Sequence, residues 1–412
     1  MPSPTAPVTP NPRLRWYLCG LLFFATTLSF LDRQVLSVLA PVISKNLGMS
    51  NVTYSHVTTA FLLSYAVMFL AAGWLLDRVG TRRGLAACVA VWSIASALHA
   101  AVSNAFQLGV CRFLLGAGEG GCFPGAAKGV AEWFPQRQRA LAMGFAIGGA
   151  SLGAVLAPPL TVWLADALGW RGVFLVTGLA GGIWVAGWWV LSRGAATITV
   201  AQVPGMTDAE RTSLGALLQR GDVWGFALMR FIFDPVFYFY MFWIPKYLSQ
   251  ERGVSLEQIG ALTWIPFLAL GVSNITGGWV SDSLIRRGLP AASARRWIMA
   301  LAALLTMSSS LAAQSRTVAM ALAMMSLLML AHGFWITNYV TLLSERFPKS
   351  AVATVMGFAG FIGALGGMMA NTAIGAVVDH FSYGPIWLAS GFLYPVAFAV
   401  MLVLIPARQT QI

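Results

Sequence analysis

Residues 73–83 read Gly73-Trp74-Leu75-Leu76-Asp77-Arg78-Val79-Gly80-Thr81-Arg82-Arg83. Apolar runs flank this stretch on both sides, and its start returns 205 positions later as Gly278-Trp279-Val280-Ser281-Asp282, again ahead of a basic cluster, Arg286 and Arg287. A second set of matches lies at an offset of 213. Glu132-Trp-Phe-Pro135 returns as Glu345-Arg-Phe-Pro348, Met143-Gly-Phe-Ala146 as Met356-Gly-Phe-Ala359, and Gly153 as Gly366. Matches in register over half the chain length imply two related halves.

The composition says what solvent those halves meet. The 412 residues are 58% hydrophobic and only 10% charged, with a mean hydropathy of +0.73. A soluble chain carries about 25% charged residues, so there is too little polar surface for soluble domains. Soluble enzymes, nucleic-acid binders and disulfide scaffolds are excluded on that ground. A membrane-spanning helix needs about 20 mostly apolar residues. Such runs fall at roughly 16–39, 57–76, 85–104, 106–127, 140–165 and 172–192. They resume at roughly 223–248, 259–281, 296–313, 318–343, 351–376 and 384–405. The fold class expected is an all-α integral membrane protein of twelve helices in two pseudo-symmetric six-helix halves. Its parts are a tail 1–15, a first bundle 16–192, a linker 193–222, a second bundle 223–405 and a tail 406–412. Two such halves suit a transporter that rocks about a site between them.

The net charge of +12 reads as membrane orientation, not nucleic-acid binding. With a cytoplasmic N-terminus, 18 of the 26 Lys and Arg fall on inner loops and ends. Five, Lys45, Arg171, Lys246, Arg252 and Arg316, fall outside, and Arg33, Arg112 and Arg230 lie within spans. That bias is what the positive-inside rule expects, with both termini cytoplasmic. Cys19, Cys88, Cys111 and Cys122 lie in apolar runs with no paired spacing, so they read as small buried hydrophobes.

The run 73–83 resembles the signature loop between helices 2 and 3 of the major facilitator superfamily. Gly73 lets helices approach, while Asp77 meets a helix N-terminus and the loop arginines Arg78, Arg82 and Arg83. The resemblance implies a latch that closes the cytoplasmic face, with Asp282 as its counterpart in the second half. A solvated loop that only sets topology would require the arginines but neither Gly73 nor Asp77.

Ionisable residues inside spans are candidates for function, because burying them costs energy unless they are paired or face a cavity. Leu31-Asp-Arg-Gln-Val-Leu-Ser-Val-Leu-Ala-Pro41 resembles helix 1 of the anion:cation symporter branch, which includes hexuronate and galactonate transporters and the vesicular glutamate and sialic acid carriers. That resemblance implies that Arg33 binds the substrate carboxylate, a task suited to a planar fork of donors. Asp32, its neighbour, points about 100° away around the helix. Arg112 through Gly116, Glu119, Phe123-Pro124, Lys128 and Glu132-Trp-Phe-Pro135 resembles helix 4 of the same branch, where Glu119 matches the proton-coupling glutamate. Asp32 is the second proton candidate. Permanent ion pairs are the simpler alternatives: an acid with Arg33, or Glu119 with Arg112 on the same helix face.

Arg230 and Asp234 are spaced as an intrahelical pair, in a segment through Tyr238, Tyr240 and Pro245-Lys246-Tyr247 similar to helix 7 of the hexuronate-type members. Pro235 allows that helix to bend. Arg112, Arg230 and Asp234 are assigned to charge pairing and gating. Tyr65, Tyr238, Tyr240, Asn274, His332 and Asn338 complete the candidate substrate-binding set, with packing the plainer reading for the tyrosines and a carbonyl-bonded buried histidine for His332. Asn51-Val-Thr53 matches a glycosylation sequon and more simply caps helix 2. The chain departs from sugar-acid carriers in lacking Asn or Gln near Ile147 or Ala150 and an acid near Gly271. Fewer hydroxyl partners point to a less hydroxylated anion, or to recognition through Ser151, Asn274 and Asn338.

The function expected is import of an organic carboxylate, a sugar acid or related monocarboxylate, with protons. Proton-antiport efflux is the alternative within transport, against which stands Ala157-Pro158-Pro159 in place of a Gly-Pro-x-x-Gly pattern. A polytopic enzyme is the alternative outside it, and no catalytic dyad or metal-ligand spacing supports one. The expected partners are a small organic anion, protons and membrane lipid, with no cofactor, metal or nucleic acid, in a monomer of a bacterial inner membrane.

Overall fold

The computed structural model describes residues 12–194 and 214–405, with a few side chains inside that range, Gly73, Trp74 and Asp77 among them, left undescribed. All elements among the described residues are helices. In chain order they are α1 (Pro12–Val38), α2 (Ala40–Asn46), α3 (Asn51–Val79), α4 (Thr81–Leu98), α5 (Ala105–Glu119), α6 (Cys122–Trp133) and α7 (Gln136–Leu191). Then follow α8 (Leu214–Leu218), α9 (Gly221–Arg252), α10 (Leu256–Leu262), α11 (Trp264–Arg286), α12 (Ala291–Thr306), α13 (Val318–Arg346), α14 (Lys349–His380) and α15 (Gly384–Leu404). Nine segments among the described residues are long and apolar enough to cross a membrane.

The sequence runs correspond to these elements, with four instructive differences. The run expected at 140–192 as two spans is two helical arms of α7 that follow one another with no loop, Gly169 alone leaving helical geometry at φ +69°. Only glycine adopts that angle without strain, so one residue supplies the kink between the arms. The fourth run, helix 4 of this chain, is broken at Gly120-Gly121 into α5 and α6. The eighth is split at Thr263 into α10 and α11, and the ninth tightens after Thr306 into a 3-10 turn, Met307–Leu311.

Polarity is arranged inside out. Ile183, Ile275, Trp279 and Val403 are exposed, while Asp32, Arg33, Arg112, Glu119 and Asp234 are buried. Lipid tails solvate the former, and the latter must find partners within the protein.

Two compact units emerge. Among the described residues the first comprises 12–35, 60–157 and 163–194, and the second 36–59, 158–162 and 214–405. The end of α1, all of α2 and the start of α3 therefore pack with the second unit.

Glycine sets the helix spacing inside the first unit. A Cβ at Gly116 would lie 2.3 Å from the Phe61 carbonyl oxygen, and one at Gly120 2.8 Å from that of Tyr65, so this face of helix 4 lies directly on α3. Gly118 and Gly121 do the same towards α4, at 2.6 Å from the Trp92 nitrogen and 2.4 Å from Cys88 Sγ. The duplicated glycines play equivalent parts. A Cβ at Gly153 would lie 2.3 Å from the carbonyl oxygen of Thr27 in α1, and one at Gly366 would lie 2.3 Å from that of Phe231 in α9. Small residues admit such close backbone contact where lipid offers no hydrophobic drive for association.

Candidate functional site

Close packing of α1, α3 and helix 4 brings Arg33 to Glu119. Arg33 Nη2 lies 2.8 Å and Nε 3.0 Å from Glu119 Oε2, and Ser29 Oγ donates to the same oxygen at 3.1 Å. The side chains are 4% and 0% exposed, so water does not screen the pair. Glu119 Oε1 has no hydrogen-bond partner among the described residues. The guanidinium also lies against three rings, with centroids at 4.8 Å for Phe30, 5.1 Å for Phe61 and 4.6 Å for Tyr65. Arg33, Glu119 and Tyr65 thus share one site, with Glu119 held at the C-terminal end of α5 where the helix breaks.

Asp32 faces the other way, as its adjacency to Arg33 requires. Its Oδ1 accepts a 3.0 Å hydrogen bond from Ser96 Oγ, which lies 2.9 Å from Thr177 Oγ1. Arg112 is within electrostatic reach of Asp32 and lies over the Phe174 ring at 5.7 Å. His99 stacks on Phe174 at 4.7 Å, and its Nδ1 lies 2.6 Å from the Ala95 carbonyl. The first unit therefore carries two buried carboxylates on opposite sides of α1, each near an arginine.

In the second unit, Arg230 and Asp234 form the intrahelical ion pair that their spacing suggests, at 2.8 Å. His332 shares a hydrogen bond with Tyr394 and stacks on Phe237 at 4.9 Å, so its bonded partner is a phenol and not a carbonyl. Tyr238 is buried, stacked on Phe242 and pressed against Gly367. Tyr240 lies apart from these, packed on Trp387 with its hydroxyl 3.5 Å from Ser309 Oγ. Asn338 donates to the Phe334 carbonyl at 2.8 Å and to that of Gly277 at 3.3 Å. Asn274 is half-buried, and its carbonyl accepts from Thr337.

The two repeated motifs meet in the second unit. Arg295 pairs with Asp282 at 2.8 Å and with Glu345 at 3.3 Å. In the first half Asp77 lies outside the described side chains. Arg82 there donates to Ser192 Oγ and to the Trp189 carbonyl, both at 3.0 Å, and Arg78 and Arg83 are exposed.

A further network ties residues 36–59 to the rest of the second unit. The Asn371 amide nitrogen lies 2.8 Å from the Ser55 carbonyl, 2.7 Å from Thr58 Oγ1 and 2.8 Å from Thr59 Oγ1, while its oxygen accepts from Trp243 Nε1 at 2.7 Å. Asp379 accepts from Asn51 N and Nδ2 and from Val52 N at the start of α3. The cap of that helix is Ser50, whose hydroxyl accepts from Thr53 N at 3.0 Å; Asn51 is instead a donor to Asp379.

Residues 22–371 match the Major Facilitator Superfamily. The chain belongs to that superfamily. A hexuronate transporter of Escherichia coli strain K12 is 28% identical over 388 residues, 91% of this chain and 90% of the relative. A galacturonate transporter of Dickeya chrysanthemi is 31% identical over 286 residues, 65% of this chain and 81% of the relative. Among solved structures, a D-xylose-proton symporter superposes with a TM-score of 0.75 at 15% identity, over 95% of this chain and 98% of that one. A bacterial homologue of the human lysosomal transporter Spinster superposes at 0.74 with 19% identity, over 96% and 95%. At such identities these structures bear on the fold. The chain is a multi-pass membrane transporter of twelve helices in two six-helix halves, and not an enzyme.

Sequence reasoning finds Arg33, Glu119 and Asp32 but not the hydroxyls that serve them. Ser29, Ser96 and Thr177 read as ordinary small helix residues, and their role depends on helix rotation. The helical spacing of Ser29 and Arg33, one turn apart on one face, was the available signal for the first of these.

Proposed function

We propose that this transporter carries an organic carboxylate, a sugar acid or related monocarboxylate, together with a proton, inward across the membrane. The observation that carries the reading is the lopsided Arg33–Glu119 pair. Among the described residues one carboxylate oxygen takes three hydrogen bonds and the other takes none. A proton delivered to Oε1 neutralises Glu119 and weakens its hold on Arg33. The guanidinium then offers its fork to the two oxygens of a substrate carboxylate, a geometry that Glu119 does not use. Proton and monoanion together are neutral, so the loaded site has the charge of the empty one. Loss of the anion restores the pair and drives off the proton.

The rest of the proposal follows from sequence and relatives. The hexuronate and galacturonate transporters to which the chain is similar carry sugar acids by name. The bias of basic residues supports cytoplasmic termini in a bacterial inner membrane, and the reading keeps bundles at 16–192 and 223–405 joined by 193–222. Asp32 is the second titrating acid, and Asp77 with Arg78, Arg82 and Arg83 forms the inner latch. Tyr65 lines the carboxylate site, its ring centroid 4.6 Å from the Arg33 guanidinium.

The test is uptake of labelled galacturonate, galactonate and simple monocarboxylates by proteoliposomes under an imposed pH gradient. Accumulation of a carboxylate that collapses with a protonophore is expected. Transport of carboxylates that ignores the pH gradient would remove the proton from the mechanism, and carriage of neutral sugars alone would remove the carboxylate.

A further inference from the structure

Lys246 lies near the end of α9, in the second unit. Its side chain is only 1% exposed, and Nζ has no hydrogen-bond partner among the described residues. An ammonium carries three donors, and one buried without an acceptor is costly to hold. What surrounds it is aromatic. Nζ stands 4.7 Å from the Tyr54 ring centroid and 5.7 Å from that of Trp243. These faces stabilise the charge but accept no strong hydrogen bond. Asp379 is within electrostatic reach, but Oδ1 already takes two donors from Asn51 and Oδ2 takes Val52 N.

The ring of Tyr54, in the segment 36–59, lies over Lys246, and that segment's attachments are separable from the site. Pro245 lacks the N–H that would bind the Met241 carbonyl. One residue on, the Phe242 carbonyl accepts the Tyr54 hydroxyl at 2.7 Å. Asn371 holds the same helix through Ser55, Thr58 and Thr59. These bonds can break without unwinding α3 or α9. Lifting the segment takes away one aromatic face and leaves an ammonium beside the Trp243 indole, a pairing of point charge and flat apolar surface that suits a small carboxylate with a carbon ring or chain.

The geometry points to Lys246 as a second anion site, an early contact of the carboxylate substrate that the Tyr54 ring covers in this structure. The inference rests on the carboxylate reading above and adds a residue to it. When the segment closes, the Tyr54 ring takes the place of the anion beside the ammonium. Closure thereby strips this site of its anion.

The test uses the full chain reconstituted in proteoliposomes, with equilibrium exchange of labelled D-galacturonate measured against its concentration and against salt. Lys246→Met is expected to raise KM about tenfold with the maximal rate within about twofold, and Lys246→Arg to stay within about threefold of wild type. Wild-type KM should climb as salt screens the attraction, and the Met variant should lose most of that dependence. A lysine with a purely structural part would lower the yield of folded protein and the maximal rate but leave KM and its salt dependence alone. Lys246→Gln serves if the Met variant gives no monodisperse protein. Wild-type KM and salt dependence in a folded, active Met or Gln variant would overturn the site while leaving the carboxylate reading intact. Absence of exchange of any carboxylate by the wild-type protein would overturn both.

Discussion

Arg33 and Glu119, 86 positions apart in sequence, meet at 2.8 Å in a site closed to solvent. The proposed binder of the substrate carboxylate is thus already occupied by a carboxylate, and the proposed proton carrier is what occupies it. Whatever alters the charge of one alters the availability of the other.

Glu119→Gln puts a neutral amide where the protonated acid would be. Arg33 is then released permanently, so substrate binding and exchange persist while accumulation driven by a pH gradient disappears. Concentrative uptake and gradient-free exchange, measured on the same vesicles, separate these outcomes. A Gln variant that still accumulates substrate would shift the coupling role to Asp32.

Arg33→Lys retains the positive charge but replaces the planar fork by a single ammonium. The two hydrogen bonds to Glu119 Oε2 cannot both survive, nor can a bidentate hold on substrate. A loss of about 1.5–3 kcal/mol in substrate binding, roughly 10- to 150-fold, is expected from isothermal titration. Circular dichroism should show an unchanged helical fold.

The glycine contacts predict a sharp positional contrast. Gly116→Ala sets a methyl group 2.3 Å from the Phe61 carbonyl oxygen, a backbone atom that cannot rotate aside. Gly144→Ala meets nothing within 4 Å. Thermal unfolding in detergent should show the first destabilised by about 1–3 kcal/mol and the second close to wild type.

Asn371→Ala removes the amide that joins Trp243 to Ser55, Thr58 and Thr59. Trp243 Nε1 is left without its acceptor, at a cost of about 1–3 kcal/mol, while Thr58 keeps its bonds to the Tyr54 and Ser55 carbonyls. Hydrogen exchange should accelerate selectively in residues 51–59, with α4 and α5 keeping their protection.

The fold was written plainly in the chain because its strongest signals are repeated. Gly153 and Gly366 share a register, and each proves to sit against a carbonyl of the first helix of its own half. The identities of Arg33 and Glu119 were legible for a related reason, since a charge within an apolar run stands out. Their pairing was not, because it depends on the rotation of α1 and helix 4 about their axes, which no run of apolar residues records. The break at Gly120-Gly121 was hidden too. Glycines thin a helix and glycines end a helix, and only the neighbours at Cys88 and Tyr65 decide between these. Lys246 was counted among loop cations, although it lies inside α9 under Tyr54. Position relative to the bilayer sets topology charge, whereas burial depends on a segment 190 residues away. Ser50 displaced Asn51 as the cap because Asp379, far along the chain, claims the asparagine.

The single-residue kink at Gly169 bears on how this protein is made. With no loop between them, the two arms of α7 leave the ribosome in direct succession, and neither arm can settle in the bilayer long before the other. The translocation machinery must accept both together, and an arm of poor hydrophobicity would be carried in by its neighbour.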